Sequence, residues 1–380
     1  MTIEFRDLKR QYQTYKSEID QAIADVLKSG TFIGGEPVKV LEKELADYVG
    51  VKHCITCANG TDALTLVLLA WGIGEGDAVF VPDFTFFATA EVVAYAKATP
   101  IFIEVDEKTF NMDPQKLENA IKEVISEGKL NPKVIIPVDL FGLPANYPEI
   151  EDIGLKYELL VLEDGAQGFG GHINGKRACS FGHAATTSFF PAKPLGCYGD
   201  GGAIFTNDDE LAELLNSLKV HGKGKDKYDN VRIGMNSRLD TIQAAILRVK
   251  LKAFIDHEVK DVNKIAAVYN KELNEIVKTP YIPEGYYSSY AQYTIKLKDG
   301  IDRENLINEL NILGIPSMVY YPKMLSEQMV FNSTKVNKDV KLNISSKVLA
   351  LPMHPYLNGD ELDYIISEVK VAILKIEANN

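Results

Sequence analysis

Strand-like and helix-like segments alternate along this chain from about residue 35 to about residue 205. The strand-like segments are short, nearly continuous apolar runs, and apolar residues recur at helical spacing between them. We predict strands at residues 53–58, 78–81, 100–105, 134–138 and 159–162, and helices at residues 41–48, 63–72, 89–97, 117–126 and 150–157. This alternation is typical of an α/β fold with a mostly parallel sheet covered on both faces. Ligands of such folds bind beyond the carboxyl ends of the strands.

The second part of the chain has a different pattern. A long amphipathic run extends from residue 238 to residue 271, and it precedes predicted elements at residues 291–298 (strand), 302–313 (helix), 316–321 (strand) and 360–376 (helix). This order predicts a smaller α+β C-terminal domain. We place a large domain at residues 1–250 and a small domain at residues 251–380, with the N-terminal segment a candidate to pack on the small domain.

Composition and charge exclude several classes of function. The chain has 41 Lys and Arg against 53 Asp and Glu, a net charge of −12, so we expect no nucleic-acid partner. Residues 1–20 contain no apolar core of a signal peptide, and no apolar run is long enough to cross a bilayer, so we expect a cytoplasmic protein without membrane partners. The six scattered histidines lack metal-ligand spacing, and we expect no metal site.

Two motifs follow predicted strands. Asn59-Gly60-Thr61-Asp62 opens a helix, where free backbone N–H groups suit an anion, although the same residues also suit a plain helix cap. Glu163-Asp164-Gly165-Ala166-Gln167 follows the strand at residues 159–162. A carboxylate at a buried strand end needs a cationic partner. A protonated pyridine nitrogen would serve, and so would an internal ion pair.

Two further motifs place cationic side chains near the same strand ends. In the run from Ser188 to Gly202, Lys193 lies after a strand, among proline, glycine and apolar neighbours. Burial there would lower the pKa of its amine and make it nucleophilic. The second motif, Asn236-Ser-Arg238-Leu-Asp240, begins the long amphipathic run. Its polar residues suit helix caps, and Arg238 could equally bind a carboxylate or phosphate through two hydrogen bonds.

Taken in this order, the motifs resemble the DegT/DnrJ/EryC1/StrS family of nucleotide-sugar aminotransferases. The resemblance extends from Phe5-Arg-Asp-Leu to Leu351-Pro-Met-His-Pro-Tyr-Leu. It implies the type I aminotransferase fold, pyridoxal 5′-phosphate (PLP) as cofactor, and a homodimer with shared active sites.

The resemblance also implies roles for individual residues. Lys193 resembles the lysine that forms the Schiff base with PLP and shuttles protons, and Asp164 resembles the aspartate bonded to the pyridinium nitrogen. Gln167 resembles the neighbour of the cofactor's 3′-oxygen, and Phe86 the aromatic ring stacked on the cofactor. The implied phosphate ligands are Gly60, Thr61 and Ser188, with Asn236 donated across the dimer.

The implied reaction moves the amino group of L-glutamate to a keto nucleotide sugar. Thr85-Phe86 and the run from residue 188 to residue 208 resemble the branch acting on UDP-2-acetamido-2-deoxy-3-keto-glucuronic acid, for bacterial surface polysaccharides. Arg238 is then the candidate ligand of the sugar carboxylate, and like Asn236 it is expected to act from the partner subunit. The family commonly has His-Tyr-Pro where this chain has Tyr320-Tyr-Pro, which makes Tyr320 a second candidate substrate ligand. A 4-keto or 3-keto deoxysugar linked to dTDP or GDP stays open as acceptor. So does a non-catalytic protein that binds a nucleotide sugar or PLP.

Overall fold

The structure is a computed structural model, and it describes residues 3–226, 228–331 and 344–378. The helices are α1 (Leu8–Thr14), α2 (Lys16–Ser29), α3 (Glu36–Val49), α4 (Gly60–Ala70), α5 (Ala88–Tyr95), α6 (Pro114–Glu127), α7 (Tyr147–Lys156), α8 (Asp209–Leu218), α9 (Thr241–Ala253), α10 (Val259–Leu273), α11 (Arg303–Ile312) and α12 (Gly359–Ala378). The strands are β1 (His53–Cys57), β2 (Asp77–Pro82), β3 (Thr99–Ile103), β4 (Asn131–Ile135), β5 (Leu160–Asp164), β6 (His172–Ile173), β7 (Lys176–Arg177), β8 (Ala184–Ser188), β9 (Gly202–Thr206), β10 (Tyr286–Tyr287), β11 (Tyr293–Lys296) and β12 (Val348–Leu351).

A seven-stranded sheet forms the centre of the first part of the chain, in the order β1-β9-β8-β5-β4-β2-β3. The pairings from β8 through β5, β4 and β2 to β3 are parallel, and β9 runs antiparallel to both β1 and β8. Every predicted strand and helix between residues 41 and 162 is present. The predicted α/β class with a mostly parallel sheet is therefore confirmed.

Polar caps fix where several helices begin. The side chains of Asn59, Asp113 and Asp208 accept hydrogen bonds from backbone N–H groups in the first turns of α4, α6 and α8. These bonds satisfy donors that a helix N-terminus leaves free. Because β5 and β8 are parallel neighbours, their carboxyl ends lie side by side at the edge of the sheet where α4 begins.

A second core lies in the C-terminal part. It packs α10, α11 and α12 against the antiparallel pair β11 and β12, and Ile3 of the N-terminal segment is buried in it. The predicted amphipathic run corresponds to α9 and α10, joined by a π-helical turn at Phe254–Glu258. The domain boundary at residue 250 stays a prediction.

The predicted strand at residues 316–321 is wrong. This segment pairs with β12 only at Met318, which exchanges two backbone hydrogen bonds with Ala350. The chain then leaves the small sheet, and the hydroxyl of Tyr321 accepts a hydrogen bond of 3.1 Å from Gln167. Beyond Met318 the segment therefore bonds to Gln167 instead of continuing along β12.

Two smaller observations complete the fold. All four cysteines are free and buried. Among the helices that the structure describes, none is long and apolar enough to span a bilayer.

Candidate active site

Asp164 ends β5 and is buried. Its carboxylate accepts hydrogen bonds from the Thr89 hydroxyl (2.9 Å) and from the backbone N–H of Ala166 (3.2 Å). Burial raises the pKa of Asp164, while these two bonds and the charge of Lys193 lower it. A cationic group placed against this carboxylate would hold it ionised.

Lys193 lies in a tight turn between β8 and β9, which we call the lysine loop (residues 189–197). Its backbone N–H donates to the carbonyl of Phe190 over 2.8 Å. Gly196 closes the turn, since a Cβ there would lie 2.5 Å from the carbonyl oxygen of Pro191. Burial lowers the pKa of the Lys193 amine, Asp164 raises it, and Arg6 lowers it further. The lysine is therefore more readily neutral, and so more nucleophilic, than a solvated one.

The start of α4 lies against the end of β8. Asn59 caps the helix by accepting from the N–H of Asp62 over 2.7 Å. A Cβ added at Gly60 would lie only 2.8 Å from the Cβ of Ser188. The structure therefore brings together Gly60, Thr61 and Ser188, which we call the phosphate cradle. A helix N-terminus with small side chains around it suits a phosphate group.

An aromatic group borders the same space. The ring of Phe86 is 53% exposed, and its centroid lies 6.0 Å from that of Tyr321. Gln167 is buried; its oxygen accepts from the backbone N–H of Phe141 over 2.7 Å, and its amide nitrogen donates to Tyr321. The exposed face of Phe86 is free to stack on a flat ligand.

Tyr320 lies close to Phe5 and Arg6 of the N-terminal segment. Its ring centroid is 6.3 Å from that of Phe5, and burial raises the pKa of its hydroxyl while Arg6 lowers it. Tyr320 therefore lies near the lysine loop through Arg6, whose guanidinium donates to the carbonyl of Lys193.

Asn236 and Arg238 are exposed on the surface of the chain. The Nε of Arg238 donates to the side-chain oxygen of Asn236 over 3.0 Å. Between them, the buried Ser237 hydroxyl accepts from the backbone N–H of Ala58, next to the phosphate cradle. The structure places this pair near the cradle but leaves both side chains pointing away from the buried groups of the site.

Two more carboxyl groups lie beneath Asp164, and we call Asp139 and Glu163 the buried carboxyl pair. Both are fully buried. Burial raises the pKa of Asp139 to about 7 and also raises that of Glu163, and the charge of Asp139 raises the pKa of Glu163 further. Tyr147 and the backbone N–H of Ala145 donate to Asp139. Burial therefore favours the protonated form of both carboxyl groups.

Sequence reasoning missed three residues of this site: Arg6, Thr89 and Tyr321. Thr89 and Tyr321 stand close to residues that it did identify, Phe86 and Tyr320, and that proximity was the available signal. Arg6 lies within the Phe5-Arg-Asp-Leu segment, and no spacing connects it to Lys193.

The side chains present fit PLP. Asp164 is a buried carboxylate whose pKa is raised by burial, and a pyridinium nitrogen would be a cation able to hold it ionised. The phosphate cradle has no room for a side chain at Gly60. Lys193 supplies an amine with a lowered pKa. The phosphate, the ring nitrogen and the aldehyde of the cofactor are thus each matched by a protein group of the right chemistry.

Comparison with known proteins gives a consistent result. The family model described as "DegT/DnrJ/EryC1/StrS aminotransferase family" matches residues 13–370. The UDP-2-acetamido-2-deoxy-3-oxo-D-glucuronate aminotransferase of Pseudomonas aeruginosa is 46% identical over 364 residues, which cover 96% of this chain and 98% of that protein.

Solved structures agree. The crystal structure of a DegT DnrJ EryC1 StrS aminotransferase from Brucella abortus has a TM-score of 0.94 and 48% identity, covering 97% of this chain and 99% of that one. The S. venezuelae DesV structure, in complex with a ketimine intermediate, has a TM-score of 0.90 and 32% identity, covering 98% of each chain. The predicted type I aminotransferase fold is confirmed, and so is the predicted cofactor class.

Proposed function

The chain belongs to the DegT/DnrJ/EryC1/StrS aminotransferase family, and we propose that it transfers the amino group of L-glutamate to UDP-2-acetamido-2-deoxy-3-keto-glucuronic acid. The chain is a PLP-dependent sugar aminotransferase. The observation that carries the proposal is that Lys193 and Asp164 lie at the same end of the sheet, close enough for each charge to shift the pKa of the other group. The identity to the Pseudomonas aeruginosa enzyme favours this acceptor. The product would serve bacterial surface polysaccharide synthesis in the cytoplasm.

Each residue of the site has a task in this proposal. PLP, when bound, supplies an electron sink and carries the amino group. Asp164 would keep the ring nitrogen protonated, and Thr89 fixes the orientation of that carboxylate by its 2.9 Å hydrogen bond. The cradle N–H groups would hold the phosphate, and the exposed ring of Phe86 would stack on the cofactor. Lys193 would supply the amine that binds the cofactor and would act as the general acid and base in proton transfer.

The acceptor is assigned through its carboxylate. A site built for a uronate needs a cation directed at that group, and Arg238 is exposed with its guanidinium bonded to Asn236. A hydrogen bond to a charged group contributes about 1.5–3 kcal/mol. We therefore expect Arg238→Lys to weaken use of the 3-keto uronate by at least about tenfold, because lysine cannot form the paired bonds.

The proposal includes a homodimer with shared sites. Asn236 and Arg238 are exposed within one chain, and the preceding segment exposes Val231 (54%) and Ile233 (87%). Apolar side chains exposed this far are typical of a surface covered by a partner. A second copy of the chain would cover them and bring Asn236 to the phosphate of its neighbour.

A panel of keto sugar nucleotides with glutamate as donor tests the proposal, with mass spectrometry of the amino sugar product. We expect the 3-keto uronate to be aminated fastest. Equal rates with a neutral 4-keto-6-deoxy sugar linked to dTDP or GDP would contradict the uronate assignment. Tyr320→Phe should change the preference among acceptors and leave the glutamate half-reaction unchanged. A colourless protein that glutamate does not alter would instead favour a non-catalytic binding protein.

A further inference from the structure

The N-terminal segment contacts the lysine loop directly. One terminal nitrogen of Arg6 donates to the backbone carbonyl of Lys193 over 2.7 Å and approaches the carbonyl of Pro194 at 3.4 Å. Arg6 and Lys193 are 187 residues apart in the chain. The bond therefore joins two distant segments at the point where the reactive amine is attached.

Arg6 is itself held from both sides. Ile3 is buried in the C-terminal core, and the carbonyl of Phe5 accepts from the backbone N–H of Met353 over 3.3 Å. On the other side, Asp7 begins α1 by accepting from the N–H of Arg10 over 2.8 Å. With its backbone fixed at both neighbours, Arg6 can hold the lysine loop without a large entropic cost.

The charge of Arg6 acts on the same lysine. The charges of Asp164 and Arg6 act on the pKa of the Lys193 amine in opposite directions, since Asp164 favours the ammonium form and Arg6 disfavours it. Arg6 has its own compensation from groups on other elements. Burial lowers its pKa, and three groups raise it, Glu258, Tyr320 and Tyr356.

The surroundings of Arg6 do not neutralise its effect on Lys193. Glu258 is buried and already accepts hydrogen bonds from Gln11 and Tyr356. The positive charge of Arg6 also contributes to the lowered pKa of Lys250, about 8, and of His354, about 4, for which burial is the larger cause. Three basic groups around Arg6 thus all lose protons more readily than they would in water.

We propose that Arg6 is a positioning residue for Lys193, which fixes the backbone of the lysine loop through its bond to the Lys193 carbonyl and places a positive charge beside the lysine. The inference rests on the proposed function of Lys193 as the cofactor-binding lysine. The role requires both properties of a guanidinium, a rigid planar donor and a permanent charge. Two substitutions separate these properties: Arg6→Gln keeps a donor without the charge, and Arg6→Lys keeps the charge without the planar donor.

The test measures the lysine itself. The full chain without PLP is labelled with acetic anhydride at a series of pH values, and the labelled fraction of Lys193 is read by mass spectrometry. At a fixed pH near 8, we expect Arg6→Gln to lower the labelling rate of Lys193 by at least about threefold, because loss of the positive charge favours the ammonium form. Arg6→Lys should restore the labelling rate. With PLP bound, the pH at which its visible absorbance changes should be higher in Arg6→Gln than in the wild type, because loss of the positive charge favours the protonated form.

A second measurement follows the loop. Hydrogen exchange of the Lys193 and Cys197 amides, both bonded within the lysine loop, should accelerate in Arg6→Lys, which loses the rigid planar donor to the Lys193 and Pro194 carbonyls. Arg10→Ala is the matched control, since Arg10 pairs with Glu361 and the carbonyl of Tyr356 from the same N-terminal segment but does not contact the loop. It should lower the melting temperature and change neither labelling nor loop exchange.

Three results would overturn the inference. One is unchanged labelling in Arg6→Gln with a raised KM for glutamate or sugar, which would make Arg6 a substrate ligand. Another is the same labelling change in Arg10→Ala, which would make the effect one of general loosening. The third is unchanged loop exchange in Arg6→Lys. Failure of PLP to attach to Lys193 of the wild-type chain would instead contradict the proposed function. The labelling without PLP distinguishes this failure from failure of the Arg6 inference.

Discussion

Replacement of Gly60 by alanine tests the phosphate cradle through packing alone. The added Cβ would lie 2.8 Å from the Cβ of Ser188 and 3.4 Å from its Cα, whereas carbon atoms pack at about 3.5–4.0 Å. Ser188 cannot retreat, since it pairs with Gly202 in the sheet, and a Cβ at Gly202 would already lie 2.4 Å from the carbonyl oxygen of Asn59. The start of α4 must therefore move.

Overpacking of this kind costs about 1–3 kcal/mol. If the displacement falls on the N–H groups that hold the phosphate, PLP affinity drops by about five- to 150-fold. Fluorescence titration with PLP measures the affinity, and calorimetry measures the stability of the chain without cofactor. Gly74→Ala is the matched control, because the only neighbour of its added Cβ within 4 Å is a carbonyl oxygen at 3.9 Å. Wild-type affinity and melting temperature in Gly60→Ala would refute the packing argument.

Three further predictions address the rest of the site. Asp164→Asn should retain PLP but lower kcat by about 10²-fold or more, because the ring nitrogen loses its ionised partner; single-turnover kinetics with glutamate measures the effect, and a wild-type rate would contradict the role. Lys193→Ala and Arg238→Ala, each inactive alone, should recover about a quarter of wild-type activity after subunit exchange, since half the dimers then hold one intact site; no recovery after verified exchange would show unshared sites. The raised pKa of Asp139, about 7, means that the folded state binds more protons than the unfolded chain between about pH 4 and pH 7. The contribution of this group to the unfolding free energy therefore falls as the pH rises through that window. Asp139→Asn should flatten this part of a urea-denaturation series, and an unchanged slope would contradict the raised pKa of Asp139.

The βα alternation was predictable because each strand of the parallel sheet is buried on both faces, which leaves a continuous apolar run in the sequence. The cores of β1 to β5 are such runs, and they appear where the pattern places them. The strand predicted at residues 316–321 failed for a related reason. Val319 packs against the C-terminal core, whereas Tyr320 and Tyr321 pack against a different apolar cluster. Periodicity does not distinguish this kind of burial from burial within a sheet.

The site was predictable where a motif follows a strand, as for Asp164 and Lys193. Its supporting contacts were not, because they join segments that no spacing relates. The Thr89–Asp164 bond spans 75 residues, the Gln167–Tyr321 bond 154 and the Arg6–Lys193 bond 187. Only the folded chain brings these partners within hydrogen-bond distance, and the assignment of their roles depends on that geometry.

Mapping the lysine to which PLP is attached tests the role of Lys193 directly. The protein is incubated with PLP, reduced with borohydride, digested and mapped by mass spectrometry. Reduction fixes the cofactor to the amine that holds it. We expect a single modified peptide that carries the phosphopyridoxyl group on Lys193, and no such peptide from Lys193→Ala. Attachment to a different lysine, or no attachment to the wild-type chain, would show that Lys193 is not the cofactor-binding lysine.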